Sequence, residues 1–157
     1  NDEASQAVDD FRVYFKDKGI FENNPYADIV DLLRTLKNEK CIIAIATSKP
    51  TIFANRIVEH FDLVEYFDII VGSNLDGTHV EKDEILNTVI KSLDISDMKN
   101  VVMIGDRKYD IIGAKKHNID SIGVLYGYSI EGELEKVNPS YIASSVKDLK
   151  KYLLKER

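Results

Sequence analysis

The sequence predicts an α/β protein whose parallel strands are covered by helices on both faces. Three observations lead there. Nearly continuous apolar runs, such as Cys-Ile-Ile-Ala-Ile-Ala at 41–46, read as strands of a buried parallel sheet rather than half-exposed antiparallel ones. Between successive runs lies a single stretch with helical spacing, which implies right-handed crossovers. The runs also end in hydroxyl, glycine or carboxylate residues, at the strand tips where ligands bind in open α/β sheets.

The elements follow in order. Residues 5–18 carry Ala7, Val8, Phe11, Tyr14 and Phe15 on one helical face, stopped by Lys18-Gly19. Asn23-Asn24-Pro25 is a turn or linker. Helix 27–38 has the stripe Ile29, Leu32, Leu33 and Leu36. Strand 41–46 is apolar throughout, so a central position is expected. Helix 51–61 leads to strand 67–71, and a loop from Gly72 to Val80 leads to helix 82–93, with Ile85, Leu86, Val89, Ile90 and Leu93 inward. Strand 101–104 (Val101 to Ile104) is expected to be buried on both faces. A helix around 108–117, strand 121–125, a weak helix near 131–137, a short strand at Tyr141-Ile142 and a helix over 145–155 complete the chain.

At 157 residues, one domain is the economical reading; 44% hydrophobic residues supply a core and 31% charged residues a polar surface. A net charge of −6 argues against nucleic acid or an anionic membrane as partner. No apolar run approaches the ~20 residues of a membrane span. The single cysteine, Cys41, excludes an internal disulfide and reads as a buried, inert thiol, which fits a cytoplasmic location. His60, His79 and His117 are scattered, without metal-ligand spacing, and read as surface or structural.

The chemistry concentrates at three strand or helix ends. Gly105 follows strand 101–104 and would let the chain turn while leaving room for a ligand; Asp106 and Asp110 then put two carboxylates in one loop. That pair suits Mg²⁺, which takes one or two protein carboxylates and keeps several waters. The competing reading makes Asp106 a helix N-cap and Asp110 a solvated first-turn acid. Thr47-Ser48-Lys49-Pro50 follows strand 41–46 just before a helix, where free N–H groups and hydroxyls attract phosphate, or where Ser48 simply caps the helix. Lys82 opens a helix, where a cation opposes the macrodipole; such misfits occur at functional sites, although a solvated lysine is the alternative.

Taken together, Thr47-Ser48-Lys49-Pro50, then Lys82, then Gly105-Asp106-Arg107-Lys108-Tyr109-Asp110 resemble, in order, the second, third and fourth motifs of the haloacid dehalogenase-like (HAD) superfamily, particularly its phosphoglycolate-phosphatase-like members. The resemblance covers about residues 25–150. It implies a Rossmann-like core at 25–157, lacking its first strand, preceded by the C-terminal remnant of a helical cap at 1–24. It also implies a Mg²⁺-dependent phosphatase of small phosphorylated metabolites. In that chemistry Thr47 and Ser48 would bind the phosphoryl group, Lys82 would stabilise its growing negative charge, and Asp106 and Asp110 would hold Mg²⁺. Arg107 and Lys108 would add positive field, with solvated surface as the simpler role.

The family's first motif, Asp-x-Asp-Gly-Thr/Val, supplies the nucleophile that becomes an aspartyl-phosphate, and it is absent from this sequence. Asn74-Leu75-Asp76-Gly77-Thr78 resembles it, but lies between the second and third motifs and has an amide in the nucleophile's place. It reads instead as a turn. The sequence also opens Asn-Asp-Glu-Ala-Ser, without Met. The expectation is therefore an N-terminally truncated, catalytically inert chain of a HAD-type hydrolase. A non-catalytic phosphate- or metal-binding protein on the same fold is the alternative. A phosphoacceptor signalling domain ranks lower, because its acidic cluster precedes the Thr and Lys. A dehalogenase or phosphomutase within the family ranks below a phosphatase on the Thr-Ser-Lys-Pro wording.

Overall fold

The computed structural model describes residues 18–155 together with Gln6, Tyr14 and Lys16. The sequence-predicted helix over 5–18 falls mostly outside the described residues; Gln6, Tyr14 and Lys16 are helical, and a 3₁₀ turn at Gly19–Phe21 follows. The elements are α1 (Ile29–Asn38), β1 (Ala44–Pro50), α2 (Thr51–His60), β2 (Ile69–Ser73), α3 (Lys82–Ser92), β3 (Val102–Gly105), α4 (Lys108–Lys116), β4 (Asp120–Val124), α5 (Glu133–Lys136), β5 (Tyr141–Ala143) and α6 (Val146–Lys155).

All strand pairs are parallel, and helices alternate with strands throughout. The strands form two ladders rather than one. β1 pairs with β2, and β3–β4–β5 form a separate three-stranded sheet. Each ladder has its own core. Leu32 of α1 and Val146 and Leu149 of α6 pack with Ile122, Val124 and Ala143 of the larger sheet. Ile85 and Val89 of α3 pack on Val71 of β2, against Ala44 and Ala46 of β1. Fully burying a side chain such as Ile85, Ile111 or Ile122, each no more than 1% exposed, is worth about 1.5–3 kcal/mol. α2 covers the opposite face of β1, where Ile45, Thr47 and Lys49 meet Ala54, Ile57 and Val58 around a cavity of about 160 Å³. Helices α3 and α4 touch each other and join the two ladders.

Local chemistry explains the ends. At α6, Ser145 Oγ accepts from Asp148 N (3.2 Å) while Asp148 accepts from Ser144 N (2.9 Å), reciprocal capping that satisfies free N-terminal donors. Several sequence expectations are corrected. The strand expected at 41–46 begins at Ala44 and runs on to Pro50 through a register shift, so Thr47, Ser48 and Lys49 belong to the strand. It is not central among the described residues, having one paired neighbour, and Ile42 before it is 65% exposed. The strand expected at 101–104 spans Val102–Gly105 and is not buried on both faces, since Val102 is exposed. Strand 67–71 is shifted to Ile69–Ser73, and Cys41 is only half-buried, ahead of the strand rather than at its start. Apolar composition overstated burial at Ile42 and Val102, which are exposed, and at half-buried Cys41. Among the described residues, no helix is long and apolar enough to cross a membrane.

Candidate active site

The β3–α4 loop is the centre of the polar architecture. Asp110 occupies the first turn of α4 and accepts from Arg107 N at Oδ2 (3.1 Å), which orders the loop by capping. It is not a solvated acid: it is 7% exposed, and its Oδ1 lies 2.9 Å from Lys82 Nζ. The two side chains are each 10% exposed. Lys82 Nζ also donates to the Ala46 carbonyl of β1 (2.7 Å). The lysine that begins α3 thus bridges the two ladders, and Asp110 offsets the misfit of a cation at that helix start.

Asp106 does not cap α4; Arg107 holds that position. Its Oδ2 accepts from Tyr128 N (2.7 Å), while Oδ1 accepts no hydrogen bond among the described residues. Three glycines make room for the three charged side chains. A Cβ on Gly127 would stand 2.3 Å from Asp106 Cβ, one on Gly105 2.3 Å from Asp110 Cβ, and one on Gly113 2.8 Å from Lys82 Cγ. The space expected beside Gly105 for a ligand is filled by Asp110, and its backbone is not left-handed.

The structure does not bring Thr47 or Ser48 against these groups. Thr47 Oγ1 accepts from Lys49 N (3.2 Å), and Thr47 lines the cavity beneath α2, whereas Ala44 and Ala46 pack with α3. Ser48 does not cap α2, whose N-cap is Pro50; its Oγ donates to Val80 O (3.0 Å), tying β1 to the segment before Lys82. Thr47 is nevertheless next in sequence to the carbonyl that Lys82 grips. Burial pushes the Lys49 ammonium below its ordinary range.

Sequence reasoning missed Glu133, Gly113, Gly127 and the Tyr128 amide. Glu133 Oε1 accepts from Lys108 N (2.9 Å) and Arg107 Nε (2.9 Å), and Oε2 accepts from Ile130 N (3.4 Å). The Lys108 amide and then the Arg107 guanidinium hold its carboxyl at about 2. Arg107 is therefore ion-paired rather than simply solvated. Tyr26 and Tyr126 meet edge to face at 5.1 Å near Asp106. Burial, then the charges of Tyr26 and Asp106, pushes the Tyr126 hydroxyl up to about 12. His117 bonds to the Asp83 carbonyl (2.9 Å) and His60 stacks on Phe21 (4.4 Å), both structural roles. Among the described residues, no group of three or more His, Cys, Asp or Glu could enclose a metal.

The model of the haloacid dehalogenase-like hydrolase family matches residues 2–124. Among curated proteins, the chain is 35% identical over 150 residues to a 5'-nucleotidase of Pseudomonas aeruginosa, covering 96% of this chain and 67% of that protein. It is 30% identical over 152 residues to the tyrosine-protein kinase PtkA of Mycobacterium tuberculosis, covering 96% of this chain and 52% of that one. A phosphoglycolate phosphatase of Colwellia psychrerythraea is 29% identical over 146 residues, with 93% of this chain and 64% of that protein covered. The solved structure of a candidate phosphatase from Clostridium difficile superposes with a TM-score of 0.95 at 48% identity, covering 98% of this chain and 71% of that one. The chain belongs to the haloacid dehalogenase-like hydrolase family, as its three ordered motifs suggested. It spans about half to two thirds of the length of these curated relatives.

Proposed function

We propose that this chain carries the phosphate- and metal-binding machinery of a Mg²⁺-dependent phosphohydrolase acting on small phosphorylated metabolites through an aspartyl-phosphate. The observation that carries the reading is the nearly buried Lys82–Asp110 pair, anchored to the Ala46 carbonyl beside Thr47 and flanked by Asp106. An ammonium fixed beside one carboxylate, with a second four residues earlier in the chain, is suited to a trianionic phosphoryl transition state and its counter-cation. Asp106, with a carboxylate oxygen free of hydrogen bonds among the described residues, is the principal Mg²⁺ ligand, and Asp110 ligates it or holds its waters. This donor set fits a cation that retains several waters, and when bound it supplies Lewis-acid neutralisation of phosphoryl charge. Thr47 and Ser48 lie on the strand end next to the gripped carbonyl, and the reading requires their hydroxyls to turn from Lys49 N and Val80 O to hold phosphoryl oxygens. We assign residues 25–157 to the core and 1–24 to a cap. This chemistry requires an attacking aspartate in addition to these residues.

The 5'-nucleotidase and phosphoglycolate phosphatase relatives support a phosphomonoester substrate. The test is Mg²⁺ binding by isothermal titration calorimetry for the chain and its Asp106→Asn variant, with folding followed by circular dichroism. We expect Asp106→Asn to stay folded and lose Mg²⁺ binding, and to abolish Mg²⁺-dependent phosphate release in a protein that carries the nucleophile. Unchanged Mg²⁺ affinity in Asp106→Asn would overturn the metal assignment.

A further inference from the structure

We propose that Glu133 is a positioning residue for Asp106 of the β3–α4 loop and Asp110 of the first turn of α4; the proposal rests on the Mg²⁺ reading above. Glu133 lies on a different crossover, at the start of the one-turn helix α5, 23 residues beyond Asp110 in sequence (133 against 110). It is 9% exposed, and acids are rarely buried that deeply without partners. Its partners are all in one place. Oε1 takes the Lys108 amide and the Arg107 Nε, and so holds the backbone between Asp106 and Asp110 from behind. Oε2 takes the Ile130 amide (3.4 Å), a bond within Glu133's own turn that fixes the carboxylate at the end of the 125–132 loop.

That loop is itself part of the site's wall. Its Tyr128 amide donates to Asp106 Oδ2, and its Gly127 lies so close to Asp106 that a Cβ there would overlap the carboxylate. Glu133 therefore sits where two segments meet, each touching one side of the same carboxylate loop. The Arg107 N–Asp110 contact lies inside the clamped stretch as well. Groups that orient ligands from behind in this way cost about 10–100-fold in metal affinity when removed. The arrangement differs from an ordinary surface ion pair, because two of the three donors are backbone amides whose place in the chain sets where Asp106 and Asp110 point.

Charge and position can be separated. Glu133→Asp keeps the negative charge facing Arg107 but is one methylene shorter, and cannot reach the Lys108 and Ile130 amides together. Mg²⁺ titration by calorimetry should show affinity weakened about tenfold in Glu133→Asp and at least as much in Glu133→Ala. A folded Glu133→Asp that binds Mg²⁺ as the unmodified chain does would overturn the positioning role. A second measurement needs no variant. If the clamp strengthens metal binding, bound metal must strengthen the clamp by the same factor. Saturating Mg²⁺ should then slow hydrogen exchange at the Lys108 and Ile130 amides by about tenfold, relative to amides of α6. Equal exchange with and without Mg²⁺ would overturn the proposal. If the unmodified chain binds no Mg²⁺, the functional reading itself fails, an outcome distinct from a bound metal that ignores Glu133.

Discussion

Two segments of this protein that leave parallel strands each set an aspartate beside a glycine, Asn74-Leu75-Asp76-Gly77-Thr78 after β2 and Asp106 onward after β3, which ends on Gly105. Their polar groups are spent differently. Asp76 Oδ1 accepts from Thr78 N (2.9 Å) and Thr78 Oγ1 (2.6 Å), and Asn74 Nδ2 donates to Thr78 Oγ1 (2.9 Å). These bonds close within five residues and make a turn. Asp106 and Asp110, by contrast, are also held from far along the chain, by Tyr128 and Lys82. A carboxylate satisfied by its own turn stabilises that turn. One held by distant elements records the tertiary fold, and its direction is set by it.

The largest break of this contrast is Lys82→Met. It leaves Asp110 almost buried with a single amide partner, which costs about 3–5 kcal/mol, read as a lower denaturant midpoint. No exposed acid of the Asn74–Thr78 turn should approach that effect. Next comes a pair of glycine substitutions. Gly105→Ala places a methyl 2.3–2.4 Å from the Asp110 side chain and should cost about 1–3 kcal/mol, with weakened Mg²⁺ binding. Gly77→Ala meets no atom within 4 Å and pays only for its left-handed φ of +82°, about 1 kcal/mol, with Mg²⁺ binding unchanged. Equal effects on binding from the two would erase the distinction between the loops.

The smallest effect is in acid. Glu133 titrates at about 2 in the fold against an ordinary 4.5, so its stabilisation is complete above about pH 4.5 and fades as pH falls toward 2. Stability measured across that window should decline less steeply in Glu133→Gln than in the unmodified chain.

The alternation of helices and strands was legible because each helix has one apolar stripe and each strand an apolar run. The three motifs were legible because each is a distinctive set of side chains in a fixed order along the chain. The site's supports were not. Tyr128 acts through its amide, which has no side-chain signature, and Gly113 and Gly127 act through the volume they lack. Glu133 opens a weak helix near the C-terminus and looks like any surface acid until the fold brings Arg107 beside it. Thr47 to Pro50 looked like a loop because polar letters follow an apolar run, yet the strand continues through them by shifting register.

Gly113 and Asp110 stand three residues apart, on one face of α4, and between them they fix the stem and the head of Lys82. A free lysine holds about 2 kcal/mol of rotamer entropy that any bound anion would have to quench. Here folding has already quenched it. An arriving phosphate would meet a charge that is already aimed, and the affinity of that encounter would be nearly free of the disorder that a flexible lysine surrenders on binding.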